Sequence, residues 1–242
     1  MSSERKVKEK NTPTLPSENA SQCQLLEDTM DVFRCHANPE NAQPMAAYMK
    51  HQFPFLGIKK PERKTLERAL LQQLKKDKTI ESEIIERLWS AKEREFQYLA
   101  LDLLVAVQSE LKPDVMPLLE RLIHDKSWWD TVDLIAAQLV GPMTLRTPEL
   151  IDAYIRPWSI SDNLWLRRTA ILFQLKSKKA TDTGLLEDII IENCGTKEFF
   201  LNKAIGWALR EYSKTDPDWV AAFLCAHELA PLSVREAGKY LK

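Results

Sequence analysis

The chain has 242 residues, of which 44% are hydrophobic and 29% are charged. This composition is too rich in large apolar side chains for a disordered protein, and it predicts a folded chain of one or two domains. With 34 basic and 35 acidic side chains the net charge is −1, so nucleic-acid binding would have to come from local clusters of Lys and Arg.

The first segment, residues 1–22, is polar and contains two prolines, and we predict a disordered tail there. It has neither an apolar signal core nor a cleavage pattern, and no later apolar stretch approaches the roughly 20 residues of a membrane span. We therefore expect a cytoplasmic protein. The four cysteines match neither zinc-binding pairs nor a disulfide framework, so we expect reduced thiols that lie mostly in the core.

Residues 23–242 are predicted to form a single all-helical domain. Apolar residues recur there at three- and four-residue steps, and no run of alternating β-branched residues predicts a strand. Prolines suited to first turns and capping-box sequences at residues 90–93 and 233–236 mark several helix starts. The predicted helices are 24–37, 41–52, 62–75, 80–90, 93–109, 114–124, 127–140, 148–156, 162–177, 181–193, 197–213, 217–228 and 233–241.

Four of these helices resemble one another in sequence. Helix pairs that repeat every 30 to about 50 residues cannot bury their apolar faces alone, so they stack into a solenoid. We therefore predict an all-α fold, a curved solenoid of HEAT-like helical repeats (an α-α superhelix) whose aligned helices line a concave surface; a helical bundle is the alternative. The segments EREFQYLALDLL, KSWWDTVDLIA, DNLWLRRTAILF and KEFFLNKAIGWAL align on Ala100, Asp133, Ala170 and Ala204, at intervals of 33, 37 and 34 residues.

Three successive repeat helices carry a Trp and a charged residue three or four positions apart, on one face of the helix. A single Trp on an amphipathic helix is usually a core residue. A charged neighbour on the same face argues against burial, because an unpaired buried charge costs several kcal/mol. We assign Trp89, Trp128 and Trp219 to the core. The paired residues are Trp129 with Asp133, Trp165 with Arg168, and Trp207 with Arg210.

An acid, an arginine and two indole rings in a groove suit a nucleotide. At an effective dielectric constant of about 20, a carboxylate about 4 Å from a developing sugar cation contributes about 4 kcal/mol, close to a thousandfold in rate. No general acid is apparent, because His36, His51, His124 and His227 fall outside the aligned helices. If the site cleaves a glycosidic bond, the natural substrate is a base that alkylation has made cationic, since it leaves without protonation.

The segments SWWDTVD, LWLRRTAILFQLK and KEFFLNKAIGWALREY resemble the AlkD-like DNA glycosylases, a bacterial type of DNA alkylation repair enzyme built from HEAT-like repeats. PMAAYMKHQFPFLGIKKPERK and ELAPLSVREA are similar to that family's first and last segments, so the resemblance runs from about residue 24 to the end. It implies excision of N3- and N7-alkylated purines from duplex DNA by an enzyme without metal or organic cofactor. We expect a monomer associated with the nucleoid through DNA.

The resemblance also implies site residues. It places the catalytic carboxylate at Asp133 and its aromatic partners at Trp129 and Trp207, and Arg168 matches the arginine that holds the lesion-site backbone. Most glycosylases extrude their target base into a pocket. The family that this chain resembles instead contacts the deoxyribose and phosphate and leaves the base in the duplex, which agrees with a groove of Trp and charged residues.

Four further residues are predicted to contact DNA. Tyr48 and Arg210 match family positions that face DNA. Lys59 and Lys64 follow Gly57 in a stretch expected to face DNA, although charged residues at a helix start are more often solvated surface.

Two other functions remain open from the sequence. One is a noncatalytic HEAT-like DNA-binding solenoid that recognises distorted duplexes through the same groove, and the other is a solenoid scaffold for proteins. Release of free alkylated base distinguishes the glycosylase from both, and salt-dependent DNA affinity distinguishes the first two functions from the scaffold.

Overall fold

The computed structural model describes residues 22–241, and every regular element among them is helical. This confirms the predicted all-α fold class. The tail predicted for residues 1–22 lies outside the described residues except for Gln22, which begins the first helix. The chain divides after Ala106 into two compact units, each with its own internal contacts. The single domain predicted for residues 23–242 stays a prediction.

Over the described residues 22–106, the first unit contains six α-helices around an apolar core. Its first, fourth and sixth helices pack together, and the rings of Phe33 and Phe96 stack with their centroids 5.9 Å apart. The single helix predicted over 62–75 is two helices that meet at Glu67, whose side chain is fully buried. The helices are α1 Gln22–Cys35, α2 Pro39–Tyr48, α3 Lys60–Leu66, α4 Arg68–Asp77, α5 Ser82–Ser90 and α6 Arg94–Ala106.

The second unit contains the remaining helices. Most begin within two residues of their predicted starts, and Asn163, Asp182 and Asp216 cap their helices by accepting hydrogen bonds from backbone N–H groups of the first turn. The helices are α7 Met116–His124, α8 Trp129–Ile135, α9 Gly141–Arg146, α10 Arg156–Ser159, α11 Leu164–Leu172, α12 Thr183–Asn193, α13 Phe199–Tyr212, α14 Pro217–Ala226 and α15 Pro231–Ala237.

The helix predicted over 127–140 continues to Arg146, because a π-helical turn at Ala136–Val140 joins α8 to α9. A second π turn, Ile151–Ile155, precedes α10. Such turns take up one extra residue without breaking the helix. No sequence pattern indicated either turn, so α9 was not predicted.

Helices of the second unit stack in the order that the repeat spacing predicts. α8 packs against α11, α11 against α13, and α13 against α15. The segments aligned on Asp133, Ala170 and Ala204 are α8, α11 and α13, so they are neighbouring helices of one stack. The structure therefore places the three predicted pairs of Trp and charged residues on successive, packed helices.

Several local predictions were wrong. Ser90 ends α5 and donates to the Arg87 carbonyl, and Ser233 lies inside α15, so neither capping box starts a helix. The cysteines are free, but the prediction that they lie mostly in the core was wrong, because they fall at helix ends or on solvent-facing positions. Cys23, Cys35 and Cys225 are exposed, and Cys194 is half-buried.

Candidate active site

The centre of the candidate site is an ion pair between α8 and α11. Arg168 donates from Nε to Oδ1 of Asp133 at 2.7 Å and from Nη2 to Oδ2 at 2.8 Å, a bidentate arrangement. The side chains are 4% and 11% exposed, respectively, so both charges are largely removed from water. Charge-assisted, bidentate contacts of this kind fix the orientation of a carboxylate as well as its position.

Arg168 also links this carboxylate to α13. Its Nη1 donates to the backbone carbonyl of Phe200, and its guanidinium lies 5.9 Å from the centre of the Phe200 ring. A guanidinium has five N–H groups, of which these three contacts use three.

Burial raises the pKa of the Asp133 carboxyl above its ordinary value, and the neighbouring Asp130 adds to this, while the Arg168 guanidinium acts in the opposite direction. A carboxylate in such surroundings is poorly solvated. It therefore gains more from an approaching cation than a carboxylate in water would.

The two predicted aromatic partners lie on α8 and α13. Trp129 is one turn before Asp133 on α8 and is half-buried. Trp207 is half-buried on α13, which packs against α11. Each residue therefore keeps part of its surface open to solvent, as a ligand-binding aromatic residue needs.

A second group of rings packs beside the ion pair. Trp128, Trp165 and Phe200 contact one another with centroids 5.0–5.6 Å apart. The Trp165 ring, which was predicted to lie beside Arg168, packs within this cluster. Trp128 is only half-buried, so its predicted core position was wrong; Trp219 is also half-buried, and Trp89 is buried as predicted.

The stack also contains a basic cluster that the sequence did not reveal. Lys203, Arg210 and Lys239 surround the carboxylate of Glu236, with N–O distances of 2.7, 2.7 and 2.8 Å. Hydrogen bonds from Lys203 and Lys239 lower the pKa of Glu236 to about 2. Three cations around one anion leave a net positive charge of two. The spacing of Lys203, Trp207 and Arg210 along α13 was the available signal, since these positions share a face.

The remaining predicted DNA contacts lie in the first unit. Tyr48 is 70% exposed, and Lys59 is exposed at the start of α3. Lys64 differs, because its Nζ lies 3.0 Å from both Glu67 and Asp102. Burial lowers the pKa of Lys64, but its hydrogen bonds to these two carboxylates outweigh burial and leave the pKa raised. Its charge is thus already matched within the protein.

The histidines that have side-chain partners are engaged away from the ion pair. His124 contacts the Asn163 amide at 2.9 Å, and His227 contacts Glu187 at 2.9 Å. Within residues 22–241, no group of three His, Cys, Asp or Glu side chains is placed to hold a metal ion. None of the helices in that range is long and apolar enough to cross a membrane.

Comparison with known families decides where this arrangement belongs. Residues 29–241 match the family described as DNA alkylation repair enzyme. The chain belongs to the DNA alkylation repair enzyme family. The match covers both compact units, so the family fold includes the α8–α11–α13 stack, the helix that carries Tyr48 and the loop that carries Lys59.

A solved structure agrees with the family assignment. It is described as a predicted DNA alkylation repair enzyme from Enterococcus faecalis, and it is 37% identical to this chain with a TM-score of 0.78. The alignment covers 84% of this chain and 96% of that one. No curated protein matches this chain. Membership of a DNA alkylation repair family implies DNA as the substrate.

Proposed function

We propose that the protein is a monofunctional DNA glycosylase that hydrolyses the N-glycosidic bond of cationic N3- and N7-alkylated purines in duplex DNA, the first step of base excision repair. It acts as a monomer and without a metal or organic cofactor. The observation that carries the proposal is the buried carboxylate of Asp133, which Arg168 holds by two hydrogen bonds beside half-buried Trp129.

The proposed reaction begins with departure of the base. The electron pair of the C1′–N bond leaves with the alkylated purine, which cancels the positive charge of the base and leaves that charge on the sugar. Asp133 stabilises this oxocarbenium-like sugar and helps to orient a water molecule. Water adds to C1′ and loses a proton to solvent, which yields an abasic site and a free base. No acid is needed, because the leaving base is already cationic.

The roles of the other residues follow from their charges. The indole faces of Trp129 and Trp207 attract a cation by about 0.5–2 kcal/mol each. Arg168 offers its two remaining N–H groups to the phosphate beside the lesion, and Arg210 extends the basic surface along α13. These groups recognise sugar and phosphate, so we propose that the lesion stays stacked in the duplex.

In the first unit we propose that Tyr48, Lys59 and Lys64 contact DNA. Lys59 is exposed, so it suits a phosphate contact. Lys64 suits a phosphate contact less well, since its ammonium group already lies beside two carboxylates.

One observation favours a noncatalytic DNA-binding protein as the second candidate. Arg168 neutralises Asp133, and a neutral ion pair attracts a sugar cation less than a lone carboxylate does. The two candidates predict the same DNA affinity and differ only in turnover.

The deciding experiment incubates the purified full chain with duplex DNA that carries N7-methylguanine, and measures the free base by mass spectrometry and abasic sites by alkaline cleavage. The same DNA without protein corrects for spontaneous loss. Release above that background, with one abasic site per base, supports the glycosylase. DNA binding with release at the background rate supports the second candidate.

A further inference from the structure

The first unit contains a cavity of about 440 Å³ that the proposed reaction does not use. Three aromatic rings line it, those of Tyr48, Phe55 and Tyr98, together with the thioethers of Met45 and Met49. The size lies within the range of small-molecule sites, and an apolar lining with few polar groups is typical of them. Flat rings and polarizable sulfur atoms favour a flat aromatic ligand.

The wall of this cavity is held in place before any ligand binds. The carboxylate of Glu95 is fully buried and accepts three backbone hydrogen bonds from the loop, from Leu56 at 3.0 Å, Gly57 at 2.8 Å and Ile58 at 3.1 Å. Gly57 has φ of +92°, and a Cβ at this position would lie 2.0 Å from the carbonyl oxygen of Asn38. The loop that carries Phe55 and Lys59 is therefore fixed against α2.

The Tyr98 ring is fixed as well. Its centroid is 6.4 Å from that of Phe55 and 5.1 Å from the Arg63 guanidinium, which is itself hydrogen-bonded to Asp102. The Arg94 guanidinium lies 5.9 Å from the same ring. A cavity whose walls are already ordered loses little entropy when a ligand enters.

The charge of the lining selects among aromatic ligands. Among the residues of the described chain that line the cavity, Lys59 alone is charged. The lining therefore fits a flat ring that is tethered to an anion. Aromatic rings beside a basic residue are the combination by which proteins hold single-stranded nucleic acid, where bases stack and phosphates pair with cations.

We propose that this cavity binds an unstacked nucleobase of DNA, with its ring among Tyr48, Phe55 and Tyr98 and its phosphate at Lys59. The inference rests on the proposed DNA substrate and adds a second contact, separate from the Asp133 site, through which the protein prefers DNA with an unpaired nucleotide. A free mononucleotide shares this chemistry, and the test below distinguishes the two sources.

The test compares binding of the full chain to three DNA duplexes of one sequence: fully paired, with one bulged adenine, and with the bulged adenine replaced by an abasic residue. The last two carry the same charge and differ only in the base. Loss of base stacking weakens binding by about 5- to 150-fold, so the bulged adenine is expected to bind tighter than the abasic bulge by this ratio. Competition with free deoxyadenosine monophosphate measures whether the cavity binds a free mononucleotide instead of a base of DNA.

Two variants test the contact to the base and the contact to the phosphate separately. Tyr48→Ala is expected to reduce the adenine-to-abasic ratio toward one. Lys59→Gln is expected to weaken both bulged duplexes equally and to lower the slope of log affinity against log salt by about one, leaving the ratio unchanged. The matched control is Tyr240→Ala, which removes a ring that is 59% exposed and lies outside the cavity; it should keep the wild-type ratio.

A wild-type ratio near one, or a Tyr48→Ala ratio equal to that of wild type, overturns the cavity proposal. Displacement of the bulged duplex by micromolar mononucleotide assigns the cavity to free nucleotides and overturns the DNA version. Base release from the fully paired, methylated duplex is measured on the same preparations. If no base is released from that duplex, the glycosylase proposal is rejected, whereas the cavity proposal is still decided by the adenine-to-abasic binding ratio.

Discussion

Replacing Asp133 with Asn is the most direct perturbation of the candidate site. At an effective dielectric constant of about 20, the carboxylate attracts a sugar cation about 4 Å away by about 4 kcal/mol, and Arg168, on the far side at roughly 8 Å, opposes it by about 2 kcal/mol. The substitution removes the first contribution and leaves the second. The rate of base release is therefore expected to fall by about a thousandfold, even though the intact ion pair is neutral.

The same substitution is expected to lower stability, because it leaves a guanidinium that is 4% exposed without its anion. Removing one partner of a buried pair costs about 3–5 kcal/mol. For a chain of this size, that corresponds to a drop of roughly 6–20 °C in the thermal midpoint. Activity must therefore be assayed well below the midpoint, with folding checked by circular dichroism.

A double variant separates the two effects. Asp133→Asn combined with Arg168→Met removes both charges and should recover much of the lost stability, while base release stays low. The assay is single-turnover release of N7-methylguanine with protein in excess, corrected for spontaneous loss. Folded Asp133→Asn protein that releases base within tenfold of the wild-type rate would refute the electrostatic role of this carboxylate.

Three further predictions concern charge. Because burial raises the pKa of Asp133 and the ionised form is the active one, base release should fall with decreasing pH through a pKa above the ordinary 3.8, measured as a pH–rate profile. Lys203→Gln and Lys239→Gln should each lower the salt slope of duplex affinity by about one if these residues meet phosphates, whereas a slope equal to that of wild type excludes the contact. The folded-state pKa of Glu236 is about 2, below its ordinary value of 4.5, so its contribution to stability is present above pH 4.5 and is lost as the pH falls toward 2. The difference in thermal midpoint between wild type and Glu236→Gln should shrink over that interval.

The sequence predicted the helical class and the placement of Trp129, Asp133, Arg168 and Trp207 on stacked helices, because each depends on spacing along the chain. Period and face are local properties that a sequence displays directly. The structure confirmed the stacking of α8, α11 and α13, while the roles of these residues stay proposals.

Contacts between distant segments were beyond the sequence. The Asp133–Arg168 hydrogen bonds join residues 35 positions apart, and nothing in either helix specifies that Arg168 turns inward. The hydrogen bonds between Glu95 and the loop before α3 likewise join residues 37 to 39 positions apart. Both depend on how helices meet, which amphipathic patterns constrain only to a face.

The π turn at Ala136–Val140 sets which residues of its long helix can reach α11. In an uninterrupted α-helix, the eight residues from Asp133 to Gly141 would overshoot two full turns by roughly 80°. The wider turn absorbs about one residue, so both positions meet the same neighbour: Asp133 at Arg168, and Gly141 at the carbonyl of Phe173, 2.1 Å from where a Cβ would stand. The direction in which the Asp133 carboxylate points therefore depends on the number of residues between Asp133 and Gly141 as well as on which residues they are. Shortening this stretch by one residue would turn Asp133 away from Arg168.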